Sequence, residues 1–389
     1  MNILFLYSGC INPIKGGIQR VTYDLSNYFR LNGYNVYYLG IDSCDSPFQI
    51  VLPERNLNSR KNLDYIRYVI INYNIKIAIF QAGISPLYSS WGYVAKETGA
   101  LLISCIHNSL LGSVNNLEGV FYSKFEKYHL QRFLPIISNK YLKSFIKKLY
   151  IASKRNHYKK LLNKSDKVVL LSESALTELK QFVKVTPEMC KISIIPNPLF
   201  ILETDTKELL KKNRILFVGR IDYKLKRVDL LLKIWNLLYN QIPEWSLDVV
   251  GDGPNLCDAK QYVCDNGLQN VFFHGFQNPV PFYMQSRIFC MTSSSEGFGV
   301  VLVEAMHFGV VPLAFDSYPV VRDIIDNEIN GLLITPYDIS EYAARIKSLT
   351  ENDANMLFLS KNAIAKSKAY QIDVISKKWF SLFNEIMNN

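Results

Sequence analysis

Two acids, Glu296 and Glu304, stand eight positions apart in SSSEGFGVVLVEAMHFGVVPLAF. The interval alone carries no signal, because Glu118 and Glu126 share it and sixteen glutamates in 389 residues give about one such pair by chance. The context is more informative. The segment reads as a strand end, a glycine-containing loop, a short helix from about Val300 and Gly309 as its stop. Gly297 and Gly299, on either side of Phe298, leave backbone amides uncovered ahead of the helix, where unpaired N–H groups and the helix dipole favour a phosphate. The neighbours of Glu304 at three and four positions are Val300, Val301, His307 and Phe308, with no Lys or Arg. A carboxylate on so apolar a face needs a hydrogen-bonding partner, which ligand hydroxyls would supply. The plainer alternative is that Glu304 faces solvent and Glu296 only caps the helix.

A second group of residues lies in RILFVGRIDYKLKRVDLLLKIW, where a strand ends at Gly219 and Arg220 and a helix begins near Val228. Lys224, Lys226 and Arg227 crowd that helix start. Cations there oppose the dipole by a few tenths to ~1 kcal/mol each, so an anion is expected nearby. Asp229 is one candidate; a bound phosphate clamped by Arg220 and Lys226 is the other. Gly16 and Gly17 in NPIKGG put bare backbone before the helical pattern IQRVTYDLSNYFRLNG, although such a pair is more often just a turn. His107 ends the strand LLISCIHN, either as a donor to a sugar or phosphate or as a packed structural histidine.

These residues sit at the ends of short apolar runs that alternate with longer helical patterns, as in parallel α/β sheets. The expected strands of the first half are NILFLYSG, YNVYYLG, IAIFQAG, LLISCIHN, KVVLLSE and ISIIPNP. Those of the second half are RILFVGR, SLDVVGDG, NVFFHGF, IFCMTSS, VVPLAF and GLLITP. Their near-continuous apolar character predicts sheets covered by helices on both faces. The length of 389 residues suits two domains, and the polar stretch from about Leu202 to Asn213 separates them. The expected layout is an α/β fold: residues 1–200 as a first Rossmann-like domain, 214–370 as a second, and 371–389 as a closing helix. Open parallel sheets bind ligands beyond the carboxyl ends of their strands, so the two domains are expected to face each other across a cleft.

The composition, 49% hydrophobic and 20% charged, argues against disorder. Seven cysteines show no metal or disulfide spacing, which suits a reducing cytosol. The opening MNILFLYSGC lacks a basic n-region, and no apolar run reaches the ~18 residues of a spanning helix. A soluble or peripheral protein is therefore expected. The formal charge of +10 implies an anionic partner, and most of the excess lies in an insert at about 124–164. There Lys124, Lys127, Arg132, Lys140, Lys143, Lys147, Lys148, Lys154, Arg155, Lys159, Lys160 and Lys164 face the single acid Glu126, with aromatic and aliphatic residues between them. An anionic membrane surface is the expected partner, and the plainer alternative is a solvated helical face on a basic protein. Nucleic acid is not, since no recognised module accompanies the charge. A nicotinamide enzyme is disfavoured because no Gly-x-Gly-x-x-Gly follows the first strand.

Taken in order, the Gly-Gly loop, IHN, IPNP, VGR with KRVDLLL, VVGDGP, FHGF, EGFGVVLVEAM and NGLL resemble the retaining family 4 glycosyltransferases of the GT-B fold over nearly the whole chain. The resemblance implies transfer of a hexose or N-acetylhexosamine from a nucleotide diphosphate sugar, with UDP as the expected nucleotide, to a glycan or lipid-linked acceptor at the cytoplasmic membrane face, in surface polysaccharide synthesis. It implies that Glu296 contacts donor-sugar hydroxyls, Glu304 the ribose, and Arg220 with Lys226 the diphosphate. Amides from Phe298 to Val300 would support phosphate and sugar. Gly16 and Gly17 would approach the diphosphate, His107 the sugar, and Gly251, Gly253, His274, Gly275 and Phe276 would frame the base. The implied reaction retains configuration, with phosphate oxygen taking the acceptor proton. No cofactor is expected, and no metal: no two aspartates are separated by one residue, the pair that metal-dependent nucleotide-sugar transferases use. Two departures stand out. Lys226 follows Arg220 by six positions where many relatives have five, which leaves Lys224 and Arg227 in contention, and FDSYPVVRDII lacks the usual glycine before its Pro, bearing on Asp316 to Tyr318. The closing helix is expected to return to the first domain through Trp379 and Phe380. A catalytically silent scaffold subunit is the alternative function.

Overall fold

The computed structural model describes residues 1–14, 16–81, 89–115, 117, 139–184, 187–199 and 211–388. Residues 202–210 of the expected linker, the insert residues Lys124, Glu126, Lys127 and Arg132, and Ala82 and Gly83 of IAIFQAG lie outside the described residues. The chain divides into two compact units. One comprises Met1–Leu110, Lys148–Phe200 and Gln371–Asn389; the other comprises Leu111–Lys147 and Ile201–Tyr370.

The helices used below are α1 (Gly17–Leu31), α2 (Arg60–Asn72), α3 (Ser89–Glu97), α4 (Lys140–Lys164), α5 (Glu173–Phe182), α6 (Val228–Leu238), α7 (Leu256–Asp265), α8 (Val280–Gln285), α9 (Val300–His307), α10 (Ile339–Thr350), α11 (Asp353–Ser367) and α12 (Ile372–Asn388). In the first unit β1 (Asn2–Leu6), β2 (Asn35–Gly40), β3 (Gln49–Val51), β4 (Ile75–Phe80), β5 (Leu101–Ile106), β6 (Lys167–Leu170) and β7 (Ile192–Ile194) form a sheet in the order β3-β2-β1-β4-β5-β6-β7. Every pairing is parallel. Strand β3 is not among the expected strands: it has three residues with one buried side chain, Ile50, and extends the sheet edge beside β2. Central strands are buried on both faces, as in β1, where Ile3, Leu4, Phe5 and Leu6 have no exposed surface. Helix α1 contributes Val21, Leu25 and Phe29 at four-residue spacing, one face of a helix. Helix α12 packs beside it. The Phe29 ring lies 6.2 Å from Trp379, 5.6 Å from Phe380 and 5.4 Å from Phe383, and Phe380 stacks on Tyr34 at 5.3 Å.

In the second unit β8 (Arg214–Val218), β9 (Ser246–Val250), β10 (Val271–Gly275), β11 (Ile288–Met291), β12 (Val311–Phe315) and β13 (Leu332–Ile334) are also all parallel, in the order β10-β9-β8-β11-β12-β13. These are the six strands expected of the second half. Helix α6 buries Val228, Leu231, Leu232, Trp235 and Leu238 against a core that includes Leu247, Val249, Leu313 and Phe315. Both sheets reverse direction of winding once, between β1 and β4 and between β8 and β11. That reversal opens a crevice at the carboxyl ends of the two strands, the position where such sheets take ligands.

Candidate active site

The chain leaving β8 at Gly219 is tightly packed. A Cβ on Gly251, just past β9, would lie 1.9 Å from the Gly219 carbonyl oxygen, and one on Gly253 would lie 2.3 Å from that of Ile221. Glycine is required at 251 and 253 by the chain's own backbone. Beyond Arg220, the buried Asp222 carboxylate accepts from the amides of Leu225 (2.6 Å) and Lys226 (3.2 Å) and folds the chain into a turn. Hydroxyls following β11 hold the other side of this loop. Thr292 donates to the Lys226 carbonyl at 2.9 Å, and Ser294 donates to those of Lys224 (3.1 Å) and Leu225 (3.2 Å).

This two-sided grip sets the three cations apart. Arg227 makes a bidentate pair with Asp229, at 3.0 and 2.9 Å, with 9% of its side chain exposed. Asp229 therefore compensates Arg227 at the helix start, as one of the two expectations had it. The Lys226 ammonium instead meets the Glu296 carboxylate at 2.6 Å, both side chains largely shielded. Arg220 and Lys224 are exposed and make no side-chain hydrogen bond or ion pair among the described residues.

Glu296 leads into the start of α9. Gly299 takes φ +93° and caps the helix, a conformation that glycine adopts without cost. The amides of Gly297, Phe298, Gly299, Val300 and Val301 make no hydrogen bond among the described residues, and the first turn closes with Leu302 N–H donating to the Gly299 carbonyl. Five adjacent donors at a helix N-terminus are suited to an anion. Phe298 is not at the surface: it is buried with its ring edge toward Tyr370, 5.6 Å away. Close by, the Tyr318 hydroxyl donates to the Met291 sulfur, and burial, followed by the Glu296 carboxylate, pushes the Tyr318 phenol well up. Asp316 is held by both guanidinium nitrogens of Arg322 that face it.

Glu304 is 2% exposed, so the solvent-facing alternative is wrong. The Tyr283 hydroxyl on α8 donates to Glu304 Oε2 at 2.9 Å, and Tyr283 is itself buried and stacked on Phe308 at 5.8 Å. The Lys211 ammonium donates to the carbonyls of Tyr283 (2.9 Å) and Phe308 (2.7 Å), tying α8 to the end of α9. Sequence reasoning searched one helical turn around Glu304 and missed a partner twenty-one residues away on a different helix. His274 meets the buried Asp248 at 2.6 Å, which also receives Arg214 at 3.3 Å, while Phe276 is 63% exposed and Gly275 takes φ +70°.

In the first unit, His107 follows β5 and is 9% exposed. Its Nε2 bonds Gln81, whose amide donates to Thr22 at 3.1 Å, and Thr22 donates to the Ile18 carbonyl at 2.7 Å. The other ring nitrogen, Nδ1, is buried without a partner among the described residues, and burial depresses the imidazole to about 4, so the ring is neutral at pH 7. Gly16 is extended and Gly17 opens α1; a Cβ on either would meet nothing within 4 Å. Among the described residues no three His, Cys, Asp or Glu side chains gather as a metal site, and no helix is long and apolar enough to cross a membrane.

Residues 202–368 match the family of glycosyl transferases group 1. That stretch makes up most of the second unit. An uncharacterized glycosyltransferase of Haemophilus influenzae is 26% identical over 370 residues, covering 94% of this chain and 95% of its own. The amylovoran biosynthesis glycosyltransferase of Erwinia amylovora is 24% identical over 406 residues, covering 99% of each. A pneumococcal O-GlcNAc transferase solved with UDP and GlcNAc has a TM-score of 0.76 at 14% identity, over 100% of this chain and 99% of that one. The fold, two parallel-sheet Rossmann-like units, is GT-B.

Proposed function

We propose that the chain is a retaining, metal-independent glycosyltransferase that moves a hexose or N-acetylhexosamine from a UDP-linked sugar to a membrane-associated glycan or lipid-linked acceptor in surface polysaccharide synthesis. The observation that carries this is the Lys226–Glu296 contact of 2.6 Å at the edge of five unengaged amides. An ammonium and a row of N–H groups suit a diphosphate; a carboxylate beside them suits the hydroxyls of the sugar it bears. Arg220, exposed on the same strand end as Gly219, adds a second cation for the charge that gathers on the leaving diphosphate. Glu304, held by Tyr283, is the acid for the ribose. The role proposed for His107, Gly16 and Gly17 is contact with the donor sugar and diphosphate. UDP and GlcNAc in the pneumococcal transferase, and amylovoran synthesis in the Erwinia relative, support the donor and the product class.

Transfer with retention needs no side chain as covalent nucleophile if acceptor attack and diphosphate departure share one face, the phosphate oxygen taking the acceptor proton. Docking of the basic face of α4 on anionic lipid belongs to the same proposal, at about 1 kcal/mol per cation near the surface.

The test is turnover by the purified chain across uridine, guanosine, adenosine and cytidine diphosphate sugars, with and without chelator, reading the anomeric configuration by NMR. A glycosylated enzyme, an inverted product or a chelator-sensitive rate would each overturn the corresponding clause. Glu296→Gln should lower the rate about a hundred-fold or more, the loss typical of one well-placed charge-stabilising group, with the melting temperature little changed.

A further inference from the structure

A cavity of about 350 Å³ lies between α4 and the end of α5 in the first unit. Its floor is apolar, with Leu162 and Phe182 fully buried, and four cations stand around it: Arg155, Lys159, Lys180 and Lys184. Among the described residues no carboxylate lines it. Nearby cations are treated differently. Lys164 pairs with Glu97 at 3.6 Å and Lys167 with Glu385 at 2.5 Å, whereas the four at the cavity make no side-chain hydrogen bond or ion pair among the described residues. Like charges gathered without a counter-ion repel one another, and an anion within the cavity removes that repulsion.

The rest of the helix face says which anion. At 100° per residue, Arg155 and Lys159 lie on the same side of α4 as Tyr141, Phe145 and Leu149. Those three, at four-residue spacing, are 85%, 59% and 55% exposed. A strip of exposed apolar side chains leading to a cationic pocket fits a bilayer surface, where apolar groups enter the headgroup boundary and cations hold phosphate. A freely dissolved phosphate has no use for the strip.

We infer that this cavity is a headgroup site for an acidic phospholipid, whose phosphate is held by Arg155, Lys159, Lys180 and Lys184 over the Leu162 and Phe182 floor. The site deepens the membrane docking proposed above and rests on it; it does not depend on which sugar is transferred.

The experiment is titration of the full chain with dihexanoyl phosphatidylglycerol below its micellar concentration, with dihexanoyl phosphatidylcholine and inorganic phosphate as comparisons. Saturable binding of the phosphatidylglycerol alone is expected. The variant Lys159→Ala/Lys180→Ala should bind it roughly twenty-five-fold more weakly, about five-fold per cation removed, whereas Lys140→Ala/Lys147→Ala should match the parent. Absence of saturable binding, equal binding by the cavity variant, or equal competition by inorganic phosphate would overturn the headgroup site. Sedimentation with phosphatidylcholine vesicles, with and without phosphatidylglycerol, tests the docking itself. If the acidic lipid matters and Lys140→Ala/Lys147→Ala weakens vesicle binding but Lys159→Ala/Lys180→Ala does not, the docking face stands and the cavity does not.

Discussion

Tyr283 and Glu304 form a buried pair in which the phenol does for the carboxylate what no neighbour on α9 can. If Glu304 orients the donor ribose, Tyr283 is a positioning residue. Tyr283→Phe removes one hydrogen bond to a charged acceptor while preserving the ring, so the donor KM should rise about five- to ten-fold with kcat nearly unchanged. Initial rates against donor concentration measure this, and an equal fall in kcat would deny the role. His107 makes a separate forecast. Its folded value of about 4 lies below the ordinary 6.5 because burial disfavours the charged ring. Between those two values the unfolded chain binds more protons than the folded one, so stability falls as pH drops from about 6.5 to about 4, by up to about 3 kcal/mol. Denaturant unfolding of the parent and of His107→Gln across that range should show the slope reduced in the variant.

At the scale of elements, the strand-end turns depend on close backbone approach. Gly251→Ala puts a methyl 1.9 Å from the Gly219 oxygen at a backbone angle of φ +142°, so either the β8 exit or the β9 exit must shift. A loss of about 2 kcal/mol or more in unfolding free energy is expected, with donor affinity falling too because Lys226 hangs from the β8 exit. Thermal melts and nucleotide titration read the two effects. The same turns show what a sequence can and cannot convey. Long apolar runs announced both sheets, since a strand covered on each face has no choice but to be apolar. The short edge strand β3 has no such constraint and was invisible. The acids, the glycines and the cations of the second unit were legible because their types are chemically unusual where they stand. Their supports were not: Asp222, Thr292, Ser294 and Tyr283 are ordinary residues whose meaning comes from partners between three and seventy positions away. Arg227 and Lys226, adjacent in the chain, looked equivalent until the left-handed turn at Arg227, φ 51°, directed one toward Asp229 and the other toward Glu296.

On the scale of the whole molecule, the first unit is not contiguous in sequence. Trp379 of α12 is 3% exposed and joins Phe29 and Phe383 in one aromatic group with α1. Trp379→Ala should cost about 3 to 5 kcal/mol, the usual range for truncating a buried large aromatic. If the two units unfold separately, calorimetry should show the transition of the first unit lowered and that of the second left in place.

This arrangement also fixes a timetable. Translation delivers Phe29 early and its companions Trp379 and Phe383 only after some 350 further residues have been made. Until then the surface of α1 that they cover is open to water and to other proteins, while the second unit, ending at Tyr370, already has its whole sequence. The unit begun first is therefore the unit completed last, and in the interval its aromatic face lacks the residues that cover it.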